Sequence, residues 1–241
     1  MTVPTEDKLK MEVYGDSITC GYGALGDVTT NPNQFLTAEE DATSTYAYKT
    51  AQTLGAEINV VAHQGWAISR SRWVAAETAD DKALTLPAIY DKVTDAHGAA
   101  WDFTSYQADI VIVNLGTNDY VNTVTPATDT GDAYFNDFVW KYYAFLQNLR
   151  AKYATAKFVL CYGMMDDSSV SRLQEAIAWV KSACDGNAGE GNPAIDNVIT
   201  VDLTGSDGMY TGGGGAHPSA AQHTTAANNL VAALRSAGWI S

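Results

Sequence analysis

Apolar residues along the chain fall into two patterns, short continuous runs and longer segments in which they recur every three or four positions. The runs predict buried strands, and the recurrence predicts amphipathic helices. The run "ADIVIVNLG" at 108–116 is almost unbroken, which is typical of a strand covered on both faces. The segment 44–55 shows the helical recurrence and stops at Gly55, a residue type that commonly ends helices.

Strands and helices are predicted to alternate along the whole chain. The strands are expected at 10–15, 56–62, 108–116, 157–163 and 197–203, and the helices at 44–55, 134–153, 169–184 and 219–238. This alternation indicates a parallel sheet, because each crossover helix carries the chain back to begin the next strand in the same direction. The sequence therefore predicts an α/β fold, a flavodoxin-like three-layer αβα sandwich with a five-stranded parallel sheet.

The long connections between these elements indicate where a site would form. They cover 23–43, 64–107 and 204–218, and each follows a strand or the turn after the first strand. The carboxyl ends of parallel strands share one edge of the sheet, and ligands bind beyond that edge. We therefore expect all three connections to crowd one candidate site.

Length and composition indicate a single domain over residues 1–241. The chain has 241 residues, of which 46% are hydrophobic, enough for one sizeable core. The sequence contains no internal repeat and no domain linker. The run "GGGG" at 212–215 is expected to be flexible, but it is too short to separate domains.

The charge balance excludes several classes of partner. The formal net charge is −14, from 14 basic and 28 acidic residues, so the chain repels phosphate backbones and anionic lipid surfaces. No stretch approaches the ~20 apolar residues of a membrane span. We expect neither a nucleic acid nor a membrane as partner, and the low charged fraction of 17% suits a neutral substrate. Cys20, Cys161 and Cys184 lack metal-ligand spacing and are expected to be buried small residues.

Ser17 lies in "VYGDSITCGYG" at 13–23, directly after the first predicted strand. A serine in this turn can present its hydroxyl at the sheet edge beside backbone N–H groups. The alternative is that Ser17 only caps the next helix. There is no G-x-S-x-G sequence here, so the strained turn of the α/β-hydrolases is not supported.

A serine hydroxyl needs a base to become a nucleophile. His217, in "GAHPSAAQH", precedes the last helix and follows the fifth strand, so its loop is expected at the same edge as Ser17. His63 ends the second strand and is a candidate supporting donor. His223, on the last helix, is expected to make a structural contact, and His97 is expected to face solvent.

Two further residues are candidates for binding an oxyanion. Asn118, in "NLGTNDY", follows the third strand, and its amide can donate at that edge. Gly65, in "HQGWA", follows the second strand, and its N–H can approach a substrate oxygen closely because it has no side chain. Asp16 and Asp119 flank these positions and are expected to hold backbone turns.

The order of these motifs resembles the SGNH, or GDSL, hydrolase superfamily. Gly-Asp-Ser, Gly65, Gly-x-Asn-Asp and His-Pro follow its pattern over essentially the whole chain. The stretches "GDSITCGYG", "WDFTSYQADIVIVNLGTND" and "HPSAAQH" look like carbohydrate esterase family two, whose members remove acetyl groups from plant polysaccharides. The resemblance implies that Ser17 is the nucleophile and His217 the base. It also implies an oxyanion hole made by the N–H groups of Ser17 and Gly65 and by the Asn118 side chain.

The chain departs from that family in two respects. The family usually carries an N-terminal β-sandwich domain, whereas about ten residues precede the first strand here, so we expect that domain to be missing or trimmed. The family's acid that orients histidine stands two or three residues before it, where this chain has Gly215 and Gly214. Asp202 and Asp207 are not at that spacing. We therefore predict that a backbone carbonyl accepts the His217 ring N–H, making a Ser–His dyad.

The predicted function is a serine esterase that removes O-acetyl groups from carbohydrate, with no metal or organic cofactor. Four aromatic residues in edge loops are candidates for stacking on a sugar: Tyr22, Trp66, Trp101 and Tyr120. One alternative is a lipolytic or aryl esterase, or a thioesterase, using the same residues with an apolar acyl pocket. Another is a carbohydrate-binding module with weak or no catalysis. The polar start "MTVPTEDKLK" is not a signal peptide, but the resemblance implies a secreted protein, and we expect a monomer.

Overall fold

The fold is built on five parallel strands, as predicted. In a computed structural model, residues 8–34, 36–69, 85–93, 98–120, 133–165, 172–205 and 210–241 are described. The strands are β1 (Lys10–Gly15), β2 (Glu57–Ala62), β3 (Ile110–Asn114), β4 (Lys157–Tyr162) and β5 (Val198–Asp202). They form one sheet in the order β2-β1-β3-β4-β5, and every neighbouring pair is parallel.

The described residues contain six α-helices, five between strands and one after the last strand. They are α1 (Ser17–Cys20), α2 (Tyr46–Leu54), α3 (Thr117–Tyr120), α4 (Ala133–Lys152), α5 (Leu173–Ser182) and α6 (Ala220–Ser236). The one-turn helices α1 and α3 were not predicted, because a single turn is too short to show a periodic pattern. None of the described helices is long and apolar enough to cross a bilayer.

Two hydrophobic clusters, one on each face of the sheet, confirm the three-layer sandwich. Met11 and Val13 of β1 pack on one face against Tyr46 of α2 and Leu230 of α6. Tyr14 points to the other face, into the cluster that contains Phe138 of α4 and the apolar side of α5. This alternation follows from the two-residue period of a strand, and it buries β1 on both sides.

The prediction that the cysteines are buried is confirmed for two of the three. Cys161 and Cys184 are buried, whereas Cys20 is partly exposed, and all three are free thiols. Cys161 belongs to the cluster with α2 and α6, and Cys184 to the cluster with α4 and α5. The sheet therefore separates these two thiols.

The ends of three strands lie side by side. Gly15, the last residue of β1, is in register with Ala62 at the end of β2 and with Asn114 at the end of β3. The chain leaves β1 for β2 on one side and later returns for β3 on the other. A crevice opens at the point where the strand order reverses in this way, and the loops after these three strands border it.

Candidate active site

Ser17 is held at this crevice by the turn between β1 and α1. Asp16 caps the helix, since its Oδ1 accepts a hydrogen bond from the Ile18 N–H at 3.0 Å. A Cβ at Gly15 would lie 2.0 Å from Thr19 Oγ1, so the chain can turn this tightly only with glycine there. Ser17 is the first residue of the helix and is 6% exposed. Its side chain is thus fixed at the carboxyl edge of the sheet.

His217 lies at the same edge and contacts Ser17. Its Nε2 is 3.0 Å from Ser17 Oγ, although 200 positions separate the two residues. Its Nδ1 is 2.9 Å from the carbonyl oxygen of Gly215. A carbonyl can only accept, so Nδ1 carries the ring proton and Nε2 is left to accept the Ser17 O–H. The predicted proximity of Ser17 and His217 is confirmed, and so is a carbonyl contact at Nδ1.

Of the two carboxylates considered for orienting His217, Asp202 is engaged elsewhere. Asp202 Oδ1 accepts from the backbone N–H of Thr204 at 2.9 Å and from its hydroxyl at 2.8 Å, which stabilises the turn after β5. Asp207 lies outside the described residues. One face of the His217 imidazole is covered by the Tyr22 ring, with 4.1 Å between the ring centroids.

Asn118 connects the loops after all three strands. Its Nδ2 donates to the Trp66 carbonyl oxygen at 2.9 Å and lies 3.2 Å from Asp16 Oδ2. Gly65, which precedes Trp66, is buried and has a φ of +80°, a left-handed conformation that favours glycine. The structure therefore brings Gly65 and Asn118 together beside the Ser17 turn.

Asp16 and Asp119 hold the surrounding backbone, as predicted. The carboxylate of Asp119 accepts from the N–H groups of Ile68 at 3.0 Å and Ser69 at 2.8 Å, which secures the loop after β2. Burial raises the pKa of Asp16 to about 7; the bond from Ile18 opposes this rise, and the charge of Asp119 adds to it. Asp16 thus carries a carboxyl that titrates near neutral pH next to Ser17.

The four candidate sugar-stacking residues have different surroundings. Trp66 and Trp101 border a cavity of about 240 Å³ along β2, together with Tyr90 and Lys92. Tyr22 covers His217 with its ring. Tyr120 is only 3% exposed and packs edge-to-face on Tyr134 and Phe138, so its ring belongs to the core and offers no face to a sugar. The stacking role predicted for Tyr120 is wrong, because one helical turn after β3 directs it inward.

Two further histidines, His63 and His223, make contacts away from Ser17. The His63 ring is exposed and stacks on Trp66, with Nδ1 2.8 Å from the Gln64 carbonyl oxygen. His223 is fully buried and accepts from the Tyr46 N–H at 3.2 Å, the structural contact that was predicted. Burial lowers its pKa to about 3. His97 lies outside the described residues, and no group of His, Cys, Asp and Glu within the described part of the chain could hold a metal ion.

Residues that fix the backbone of the glycine run were missed by the sequence analysis. The Gly215 N–H donates to the Asn31 carbonyl oxygen at 2.8 Å, and the Gly214 N–H donates to that of Gly23 at 2.9 Å. The Gly213 and Gly212 N–H groups are also bonded, so the run predicted to be flexible is a fixed turn. Two of its partners, Gly23 and Asn31, lie in an irregular loop more than about 180 positions away, which no local pattern reveals.

The chain is similar to known proteins over most of its length. Residues 13–224 match the model of the GDSL-like lipase/acylhydrolase family. The chain is 29% identical to the cellulase/esterase CelE of Acetivibrio thermocellus, over 99% of the chain and 27% of that protein. It is 25% identical to an acetylxylan esterase / glucomannan deacetylase of Cellvibrio japonicus, over 95% of the chain and 59% of that protein.

A solved structure shares the fold over the full chain. It is a family two carbohydrate esterase from Clostridium thermocellum in complex with cellohexaose, with a TM-score of 0.76 and 27% identity, and it covers 100% of this chain and 68% of that one. The chain spans less than two thirds of the length of the two curated relatives. The similarity therefore concerns the region that contains the Ser–His pair.

Proposed function

Because the chain belongs to the GDSL-like lipase/acylhydrolase family, we propose that it is a serine esterase that removes O-acetyl groups from carbohydrate. The observation that carries the proposal is the Ser17–His217 pair, with Oγ and Nε2 3.0 Å apart and Nδ1 bound to a carbonyl oxygen. This arrangement combines a nucleophile with a base in the correct tautomer.

In the proposed reaction, Ser17 Oγ attacks the acetyl carbonyl carbon while its proton passes to His217 Nε2. The carbonyl electrons move to oxygen, and this oxyanion accepts hydrogen bonds from the Ser17 N–H, the Gly65 N–H and the Asn118 side chain. The intermediate collapses by breaking the bond between the carbonyl carbon and the sugar oxygen, which takes the proton from His217. Water then attacks the acetyl-serine with His217 as base, releasing acetate and restoring Ser17.

The side-chain amide of Asn118, which would donate to the oxyanion, already donates to two acceptors. Its Nδ2 contacts Trp66 and Asp16, so the oxyanion would compete with Asp16, the more distant of the two acceptors. The benefit is that the amide is held in place before substrate arrives, so only its bond to Asp16 has to change when the oxyanion forms.

The substrate class is supported by the functions of the relatives and by the chain's own charge. An acetylxylan esterase / glucomannan deacetylase and a carbohydrate esterase bound to cellohexaose are among its relatives. The chain carries a net charge of −14, which suits a neutral polysaccharide better than an anionic one. Trp66 and Trp101 remain the candidates for stacking on a sugar, since both line the cavity along β2.

Acyl-chain preference tests this proposal against a lipolytic or thioesterase activity. We expect p-nitrophenyl acetate to be hydrolysed much faster than the butyrate and octanoate esters, and acetate to be released from acetylated xylan or glucomannan oligosaccharides. Ser17→Ala should abolish both activities and also labelling by a fluorophosphonate probe. Preference for octanoate would overturn the acetyl assignment. A protein that neither turns over substrate nor reacts with the probe would instead be a binding module.

Replacing Asp202 and Asp207, the two carboxylates nearest to His217 in the sequence, tests the Ser–His dyad. We expect Asp202→Asn and Asp207→Asn each to lower kcat by less than roughly tenfold, because a carbonyl orients His217. Loss of the acid from a Ser-His-Asp triad costs about 10⁴ in kcat. A loss of that size in either variant, with the fold intact, would show that a carboxylate orients the ring.

We further propose that residues 1–241 form one hydrolase domain that acts as a monomer outside the cell. Support for the location comes from the carbohydrate-degrading relatives. Light scattering coupled to size exclusion tests the monomer, since a single species near 25.7 kDa is expected.

A further inference from the structure

The loop between residues 21 and 41, here called the 21–41 loop, binds the glycine run beside His217. Besides the bonds from Gly214 and Gly215, the Val28 N–H donates to the Gly212 carbonyl oxygen at 3.2 Å, and the Ala220 N–H donates to that of Ala24 at 2.8 Å. The carbonyl that accepts from His217 therefore belongs to a segment whose position depends on the 21–41 loop.

Asn31 is the residue of the 21–41 loop that binds the N–H of Gly215. Its carbonyl oxygen accepts the Gly215 N–H at 2.8 Å. Its side-chain Nδ2 donates to Glu39 Oε2 at 2.8 Å and to the Gln34 carbonyl oxygen at 3.1 Å. Asn31 is 8% exposed, so losing these partners would leave a buried amide unsatisfied.

Glu39 fills the space that two glycines leave open. A Cβ on Gly214 would lie 2.0 Å from Glu39 Oε2, and one on Gly26 would lie 2.4 Å from the same oxygen. The carboxylate oxygen therefore lies between the 21–41 loop and the glycine run while it accepts from Asn31. A side chain at position 26 or 214 would therefore displace the Glu39 carboxylate from Asn31.

We propose that Asn31 and Glu39 are positioning residues for His217, acting through the backbone of Gly215. Glu39 fixes the Asn31 side chain, the Asn31 carbonyl oxygen fixes the Gly215 N–H, and the Gly215 carbonyl oxygen then accepts from His217 Nδ1. The inference rests on the proposed esterase function, and it identifies where this chain keeps a carboxylate that supports the histidine. That carboxylate acts through two backbone groups and does not touch the ring.

A carbonyl can keep the imidazole in one orientation only if the peptide group that bears the carbonyl is itself fixed. The Gly215 N–H belongs to the peptide group before its Cα, and the Gly215 carbonyl belongs to the peptide group after it. Gly215 has a φ of +61° and no side chain, so the carbonyl-bearing peptide can swing at low cost unless the peptide before it is anchored, as it is by the bond to Asn31. Rotation would release Nδ1 and allow the other tautomer, with the proton on Nε2 facing Ser17. Misplacement of a catalytic group by 1 Å can cost about 10² in rate.

The first test compares kcat and KM for acetyl-ester hydrolysis. We expect Glu39→Ala and Asn31→Asp to lower kcat by about 10- to 100-fold with KM nearly unchanged, since they disturb the base and not substrate binding. Glu39→Gln keeps an oxygen that can accept from Asn31 and should retain most of the activity. Glu40→Gln removes a charge from the neighbouring position, and Asn33→Ala changes an exposed asparagine of the same loop; both controls should match the parent.

The second test observes His217 directly and is independent of turnover. In a ¹⁵N-histidine-labelled protein, with the His217 signals assigned by comparison with His217→Ala, the parent should show the Nδ1–H tautomer. Glu39→Ala and Asn31→Asp should show a mixture of tautomers or faster exchange of that proton, and Glu40→Gln should not. An inactive parent with this tautomer pattern would refute the esterase proposal alone.

Three results would overturn the positioning role. One is a folded Glu39→Ala variant with kcat within twofold of the parent and an unchanged tautomer. Another is a Glu39→Gln variant as impaired as Glu39→Ala, since the hydrogen bond to Asn31 would then not matter. The third is an equal effect of Glu40→Gln. If Glu39→Ala does not fold, Asn31→Asp decides, because it keeps the size and backbone of Asn31 while placing a carboxylate against Glu39.

Discussion

At the scale of single residues, the site depends on polar groups that are buried and hold one another. Asn118 touches the loops after β1 and β2, and Asp16 accepts from both Asn118 and Ile18. A buried polar group is costly once its partner is removed, so each of these residues contributes to folding as well as to chemistry.

Asn118→Ala should therefore impair both catalysis and stability. Removal of one oxyanion donor lowers kcat by about 10²–10³. The bonds to Trp66 and Asp16 predict an additional loss of about 1–3 kcal/mol in the free energy of unfolding. Steady-state kinetics and urea unfolding measure the two effects, with the exposed Asn33→Ala as control. A variant with normal kcat would show that Asn118 only ties the loops together.

His223 should make the fold sensitive to acid. Burial lowers its pKa to about 3, against 6.5 for the free side chain, so the unfolded chain takes up a proton that the folded chain does not. Stability is therefore lost as pH falls from about 6.5 towards 3, by up to about 5 kcal/mol. His223→Gln keeps an oxygen to accept from Tyr46 and should lose less stability between pH 8 and pH 4. Equal losses in parent and variant, with the exposed His63→Gln as control, would contradict this.

At the scale of elements, the start of α6 also supports the site. Ser219 and Gln222 form a reciprocal capping box, and Gln222 Oε1 accepts from the Ser219 N–H at 2.9 Å. The same oxygen accepts from the Gly212 N–H at 2.9 Å. One side chain thus caps the helix and holds the beginning of the glycine run that leads to His217.

Gln222→Ala should therefore cost more than an ordinary capping change. Loss of a cap typically costs about 1 kcal/mol, and the unpaired Gly212 N–H adds about 1 kcal/mol more. Gln222→Glu retains an acceptor and should recover most of the loss. Urea unfolding compares these variants with Gln174→Ala, an exposed glutamine on α5. A loss no larger than that control would indicate that water satisfies both N–H groups.

At the scale of the whole molecule, two buried groups give stability opposing responses to pH. The folded-state pKa of Asp16 is raised to about 7 from 3.8, so the folded chain keeps a proton that the unfolded chain has released. Its contribution is fully present below about pH 4 and is lost as pH rises to about 7, whereas that of His223 is lost as pH falls. Between these limits the two effects largely cancel.

Asp16→Asn should reveal this compensation. The free energy of unfolding of the parent should fall relative to that of the variant by up to about 4 kcal/mol between pH 4 and pH 8, because only the parent must ionise a buried carboxyl. Chemical denaturation across that range measures the difference, whatever constant offset the substitution introduces. Parallel curves would show that Asp16 is already ionised at pH 4, held by its bonds to Ile18 and Asn118.

The sequence by itself determined the order of elements, the parallel sheet and the edge where the site forms. Continuous apolar runs and helical repeats report directly on burial, and strand ends in a parallel sheet share one edge, so Ser17, Gly65, Asn118 and His217 were predicted to lie together at that edge. Only the tertiary structure decided that Tyr120 belongs to the core, that the glycine run is fixed, and which carbonyl accepts from His217. These outcomes depend on contacts between residues far apart in the chain, such as Asn31 and Gly215, and local patterns contain no information about such contacts.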